Sequence, residues 1–204
     1  MKVKIMRKPI QILLAFSSMA LCAAMLTGCS AKARMARHQQ RADNYYAAGD
    51  FSKAEVEYLI AVRLANSNEH AVSRLADIYF QQGRLGRAFA YVRAAIDLST
   101  NNLDMQVKLA TIYLVARKST DARAVAEGIL DRWPTNADAP DILAESVALR
   151  SEIPPVQQRL DKLSKQIGET APLLLAYGVL DYAKGDLKSS ETALQRALTL
   201  DPNY

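Results

Sequence analysis

Small, aromatic and large apolar residues return along this chain every 34 positions. Ala42, Ala76, Ala110, Ala144 and Gly178 form one such series, Tyr45, Tyr79 and Tyr113 a second, and Ala54, Ala88 and Ala122 a third. Between them, apolar residues recur three and four apart, the period of a helix with one buried face. This predicts five units of 34 residues over 35–204, namely 35–68, 69–102, 103–136, 137–170 and 171–204. Each unit would hold two antiparallel helices at roughly positions 1–14 and 17–30. Gly49, Gly83 and Gly185, at position 15, would end the first helix in a left-handed conformation. Pro134, Pro202, Asn66-Ser67 and Asn101-Asn102 mark the turns between units. The fourth unit is degenerate: Val147 replaces the tyrosine, Ser151 replaces the glycine, and Pro154-Pro155 stands at the turn. Val156, Leu160 and Leu163 still predict a second helix there, with a wider packing angle. The expected class is all-α.

The first 28 residues follow another pattern. Lys2, Lys4, Arg7 and Lys8 precede an apolar stretch from Ile10 to Leu26, the layout of a secretory signal peptide. This segment also accounts for the net charge of +5, because residues 29–204 carry 22 basic and 21 acidic residues. The electrostatic footprint of a nucleic-acid binder is therefore missing from the body. Only Cys22 and Cys29 are cysteines. With Cys22 in the segment to be removed, the body has no pair for a disulfide and no thiolate cluster for a metal.

Within a unit, the residues Leu75-Ala76, Tyr79, Gly83, Ala88 and Ala95, and again Leu109-Ala110, Tyr113, Ala122 and Pro134, resemble the tetratricopeptide repeat. The resemblance implies a right-handed superhelix, or α-solenoid, of helix-turn-helix repeats that binds protein segments in its concave face. Leu26-Thr27-Gly28-Cys29 resembles the lipobox of bacterial lipoproteins. That implies cleavage after residue 28, acylation of Cys29, and a short lipidated linker over 29–34. Ser30, where an inner-membrane retention signal would have Asp, then points to the outer membrane, with the protein facing the periplasm. The run from Asp50 to Tyr58 is similar to tetratricopeptide lipoproteins associated with exosortase (PEP-CTERM) export, and secretin pilotins and β-barrel assembly lipoproteins look similar more generally.

No catalytic constellation is visible. His38 and His70 are the only histidines, each in a regular repeat, and no phosphate-binding glycine loop or H-E-x-x-H sequence occurs. His70 is expected to face solvent. Neither enzymatic activity, a cofactor nor a metal is expected. Repeat positions 2, 5, 9 and 12 line the groove in tetratricopeptide proteins, and this family frame selects Asp43, Tyr46, Asp77, Phe80, Leu114, Asp138, Asp141, Glu145 and Tyr182. The acids and aromatics together suit a partner segment with basic and apolar residues. The same aromatics equally suit shared packing between units. The expected function is a lipid-anchored protein-binding scaffold that supports assembly or export of envelope components. The alternative is an accessory repeat region of a longer, enzymatic chain, since the fifth unit ends at Tyr204 with no polar capping helix after it.

Overall fold

The computed structural model describes residues 31–203, and every regular element among them is helical. The expected signal peptide, Cys29 and the first residues of the expected linker lie outside the described residues. Residues 31–47 are helical (α1), followed by α2 (Phe51–Leu64), α3 (Glu69–Gln81), α4 (Leu85–Leu98), α5 (Leu103–Val115), α6 (Ser119–Arg132), α7 (Ala139–Glu145), α8 (Ile153–Ile167), α9 (Ala171–Lys184) and α10 (Leu187–Leu200). A single 3-10 turn, Arg150–Glu152, precedes α8. Residues 31–34, expected as linker, are already helical. Ala31, Lys32, Ala33 and Arg34 are all strong helix formers, with no proline or glycine to stop the turn.

The helices are joined by a device that repeats with the sequence. The N–H groups of Asp50, Arg84, Lys118 and Asp186 each donate to the carbonyl five residues back, on Tyr45, Tyr79, Tyr113 and Asp181, all at 2.9 Å. This bond closes a helix end over one left-handed residue. Gly49, Gly83 and Gly185 take that conformation, and in the third unit Arg117 does so with φ 58°. Each following unit is started by the residue at position 34. The side-chain oxygens of Asn68, Asn102 and Asn136 accept from the N–H groups of Ala71, Met105 and Ala139 at 3.1, 3.2 and 2.7 Å. Thr170 Oγ1 does the same for Leu173 at 3.4 Å. Such caps satisfy donors that the first helical turn leaves open.

Two compact units divide between Ile78 and Tyr79. In the first, Ala42, Ala54, Tyr58, Ala61, Ala71, Val72, Leu75 and Ala76 are buried. In the second, α5 lies on α6, α6 on α7, α7 on α9 and α9 on α10. A core of Ala110, Ala126, Ile129, Leu130, Leu143, Leu160, Leu163 and Leu173, among others, fills the space between them. Alanine or glycine at position 8 lets the backbones of paired helices approach. In the fifth unit the fit is so close that a Cβ on Gly178 would lie 2.8 Å from Leu194 Cδ2, while Ser190 Oγ donates to the Gly178 carbonyl at 2.8 Å.

The fourth unit departs from the expected pair of full-length helices. Its first helix, α7, has only seven residues, and Ala148 and Leu149 lie beyond it. Ser146 Oγ donates to the Leu143 carbonyl at 2.7 Å, and Arg123 reaches Ser146 Oγ at 3.1 Å and its carbonyl at 2.9 Å. The Glu152 carboxylate then accepts from the N–H groups of Ala148 and Leu149 at 2.8 and 2.9 Å. Side chains thus take the backbone partners that a continuing helix would need. Those two N–H bonds hold the Glu152 carboxyl below the usual range.

Candidate functional site

In the first compact unit, the groove positions chosen from sequence are engaged by their own neighbours. Asp43 on α1 accepts from the hydroxyl of fully buried Tyr58 at 2.6 Å and lies 2.7 Å from His70 Nε2. Burial pushes the Asp43 carboxyl up, but the bonds from His70 and Tyr58 and the charges of His70 and Arg74 outweigh it and leave it below its usual value. His70 is therefore not a plain solvent-facing residue. The Arg74 guanidinium covers the Tyr46 ring at 4.7 Å and sits 3.5 Å from Asp77. Asp77 is only 8% exposed. Tyr46 also meets Phe51 edge-on at 5.4 Å. Asp43 and Asp77 are thus charges within the packing rather than an open acidic surface.

The second unit repeats the covered aromatic and then drops it. Lys108 stands 5.9 Å from the Phe80 ring and pairs with Asp104. Arg74 and Lys108 are 34 residues apart, so a cation at position 6 covers the aromatic at position 12 of the unit before it. Tyr182, on α9, is 69% exposed. Leu114 and Glu145 meet in an open cleft of about 500 Å³ with Arg117, Ser119, Val147 and Ala148. Asp138, Asp141 and Glu145 fall at i, i+3 and i+7 about α7 and so share one face. None of the three has an ion-pair partner among the described residues. Burial, together with the charges of Glu145 and Asp138, pushes the Asp141 carboxyl up to about 6, and its Oδ1 is buried without a hydrogen bond.

The structure therefore brings Leu114 to Glu145 and groups the three acids of α7, whereas Asp43, Tyr46, Asp77 and Phe80 are already partnered. The covering cations, Arg74 and Lys108, were not singled out from sequence, although their 34-residue spacing was present there. Arg123, which ends α7 through Ser146, had no such signal. Among the described residues no group of three His, Cys, Asp or Glu side chains could hold a metal ion, and no described helix is long and apolar enough to cross a membrane.

Residues 40–102 and 171–204 each match a tetratricopeptide repeat family. No curated protein sequence matches the chain. Solved structures show the same fold at low identity. MamA (residues 41 to the end) from Desulfovibrio magneticus RS-1 is 14% identical with a TM-score of 0.68, over 83% of this chain and 96% of that one. A tetratricopeptide repeat protein from Parabacteroides merdae is 18% identical with a TM-score of 0.69, over 83% and 68%. YrrB, described as a tetratricopeptide protein with an unusual peptide-binding site, is 15% identical with a TM-score of 0.63, over 82% and 86%. The chain carries tetratricopeptide repeats, and its fold is that of the tetratricopeptide α-solenoid.

Proposed function

We propose that this chain is a lipid-anchored, non-catalytic scaffold of the bacterial envelope, tethered through Cys29 to the periplasmic face of the outer membrane, and that it holds a basic and apolar segment of a protein partner against α7. The observation that carries the binding surface is the face of Asp138, Asp141 and Glu145, which lacks ion-pair partners and whose Glu145 lines the cleft of Leu114, Val147 and Ala148. A cation from a partner would relieve the mutual repulsion of these carboxylates. The apolar wall would accept the neighbouring aliphatic or aromatic side chain. YrrB, with the same fold, has a described peptide-binding site, which supports a peptide as the ligand class. The lipid anchor rests on the sequence from Leu26 to Cys29, and a role in exosortase-type export rests on the run from Asp50 to Tyr58.

Capture from detergent-solubilised membranes, followed by kinetics with the purified partner, tests the binding surface. Glu145→Lys should slow association about tenfold at low salt, because complementary charge mainly sets encounter rate. Leu114→Ala, in the apolar wall of the cleft, should instead raise dissociation by about tenfold. A partner indifferent to both changes uses another surface. Independently, wild type should incorporate a fatty-acid probe that Cys29→Ala does not; an unlabelled wild type would remove the anchor.

A further inference from the structure

The charges after residue 28 are sorted along the chain. Residues 29–42 contain Lys32, Arg34, Arg37 and Arg41 and no acid, whereas residues 43–204 carry 18 basic and 21 acidic residues, a net of −3. The four cations all lie on α1, and all four are exposed. Arg34, Arg37 and Arg41 follow at i, i+3 and i+7 and so form one stripe. It borders the packed side, where Met35, His38, Gln39 and Ala42 lie, and leaves Arg34 and Arg37 exposed. Arg41 is held in place by Glu57 at 3.2 Å, and His38 joins the same carboxylate at 2.6 Å.

We infer that this arginine stripe docks on the headgroups of anionic phospholipids beside the anchor. The inference rests on the proposed acylation of Cys29. Its geometry follows from chain length. Ala31 is two residue steps along the chain from Cys29, a span of at most about 7 Å, and the helix adds about 1.5 Å per residue. The Cα atoms of Arg34 and Arg37 are therefore within roughly 12 and 16 Å of the acylated residue, and their long side chains extend their reach. Exposed charges act over a screening length of about 8–10 Å. The tether is thus short enough for α1 to lie along the surface and bring both guanidinium groups within one screening length of the headgroups, while the net negative remainder is repelled from the same surface. Acyl chain and basic stripe would then act as two signals rather than one. A neutral bilayer would hold the anchor equally well but leave α1 free to swing.

The test uses the full chain in its acylated form, reconstituted into vesicles of phosphatidylcholine alone or with phosphatidylglycerol. An environment-sensitive fluorophore is placed on Ala33→Cys, an exposed position beside the stripe. The emission should shift to the blue on phosphatidylglycerol vesicles at low salt and return at high salt. Arg34→Gln with Arg37→Gln should reduce the surface-bound population about fivefold per arginine, on the order of twentyfold together. Arg93→Gln, an exposed arginine of α4, should change nothing. Far-UV circular dichroism establishes that each variant remains folded. Equal emission on both vesicles, a doubly substituted chain that still responds, or an equal effect of Arg93→Gln would overturn the inference. A chain without an acyl group by mass spectrometry that floats with neither vesicle removes anchor and stripe together. An acylated chain that floats with both, but whose label ignores phosphatidylglycerol, removes the stripe alone.

Discussion

Asp141 has a carboxyl that titrates at about 6 in the fold, against an ordinary 3.8, because burial and two neighbouring acids disfavour its charge. A group whose folded pKa is raised adds stability below its unfolded pKa and loses it as pH rises through the folded one. At neutral pH the charged carboxylate therefore opposes folding. Asp141→Asn should stabilise the protein by about 1–2 kcal/mol at pH 7.5 after allowance for partial exposure, with the gain vanishing below about pH 4. Denaturant titrations at the two pH values check this, and an equal gain at both would contradict it. A residue that costs stability and binds nothing in its own chain is the kind found at binding surfaces. Arg117 carries a second local cost, a left-handed backbone with a side chain attached. Arg117→Gly should raise stability by about 1 kcal/mol, or about 2–4 °C in Tm. An unchanged or lower Tm would show that the side chain repays the strain. Neither feature was legible in sequence beyond a missing glycine at position 15, because both depend on which groups come near.

At the scale of the helix, the 34-residue frame made the small residues at position 8 readable as sites of close approach, and Ala42, Ala76 and Ala110 are fully buried. Ala110→Leu should cost about 1–3 kcal/mol by overpacking the second unit's core, read as a lower midpoint in thermal or urea unfolding. An unaltered midpoint would mean that the helix pair has room the packing does not suggest. The glycine ends were also legible, since only a left-handed residue closes that turn cheaply. The shortening of α7 was not. Ser151 and the proline doublet indicated irregularity, but the stop comes from Arg123, 23 residues upstream of Ser146. Non-local hydrogen bonds leave no periodic trace. The same limit explains Asp43 and Asp77: their repeat positions were readable, but their pairing with Tyr58, His70 and Arg74 required the coordinates.

For the molecule as a whole, we propose an anchored basic helix and a binding surface on α7 within a repeat fold that solved tetratricopeptide proteins share. In that proposal the cleft beside α7 holds a protein in the envelope. The most direct measurement is photo-crosslinking in intact cells, with a crosslinking amino acid at Ala148 in the cleft and, separately, at Lys162 on α8, both exposed. One discrete crosslinked protein is expected from position 148, lost with Glu145→Lys, and none from position 162. Crosslinks from position 162 alone, or crosslinks from 148 that survive Glu145→Lys, would contradict it.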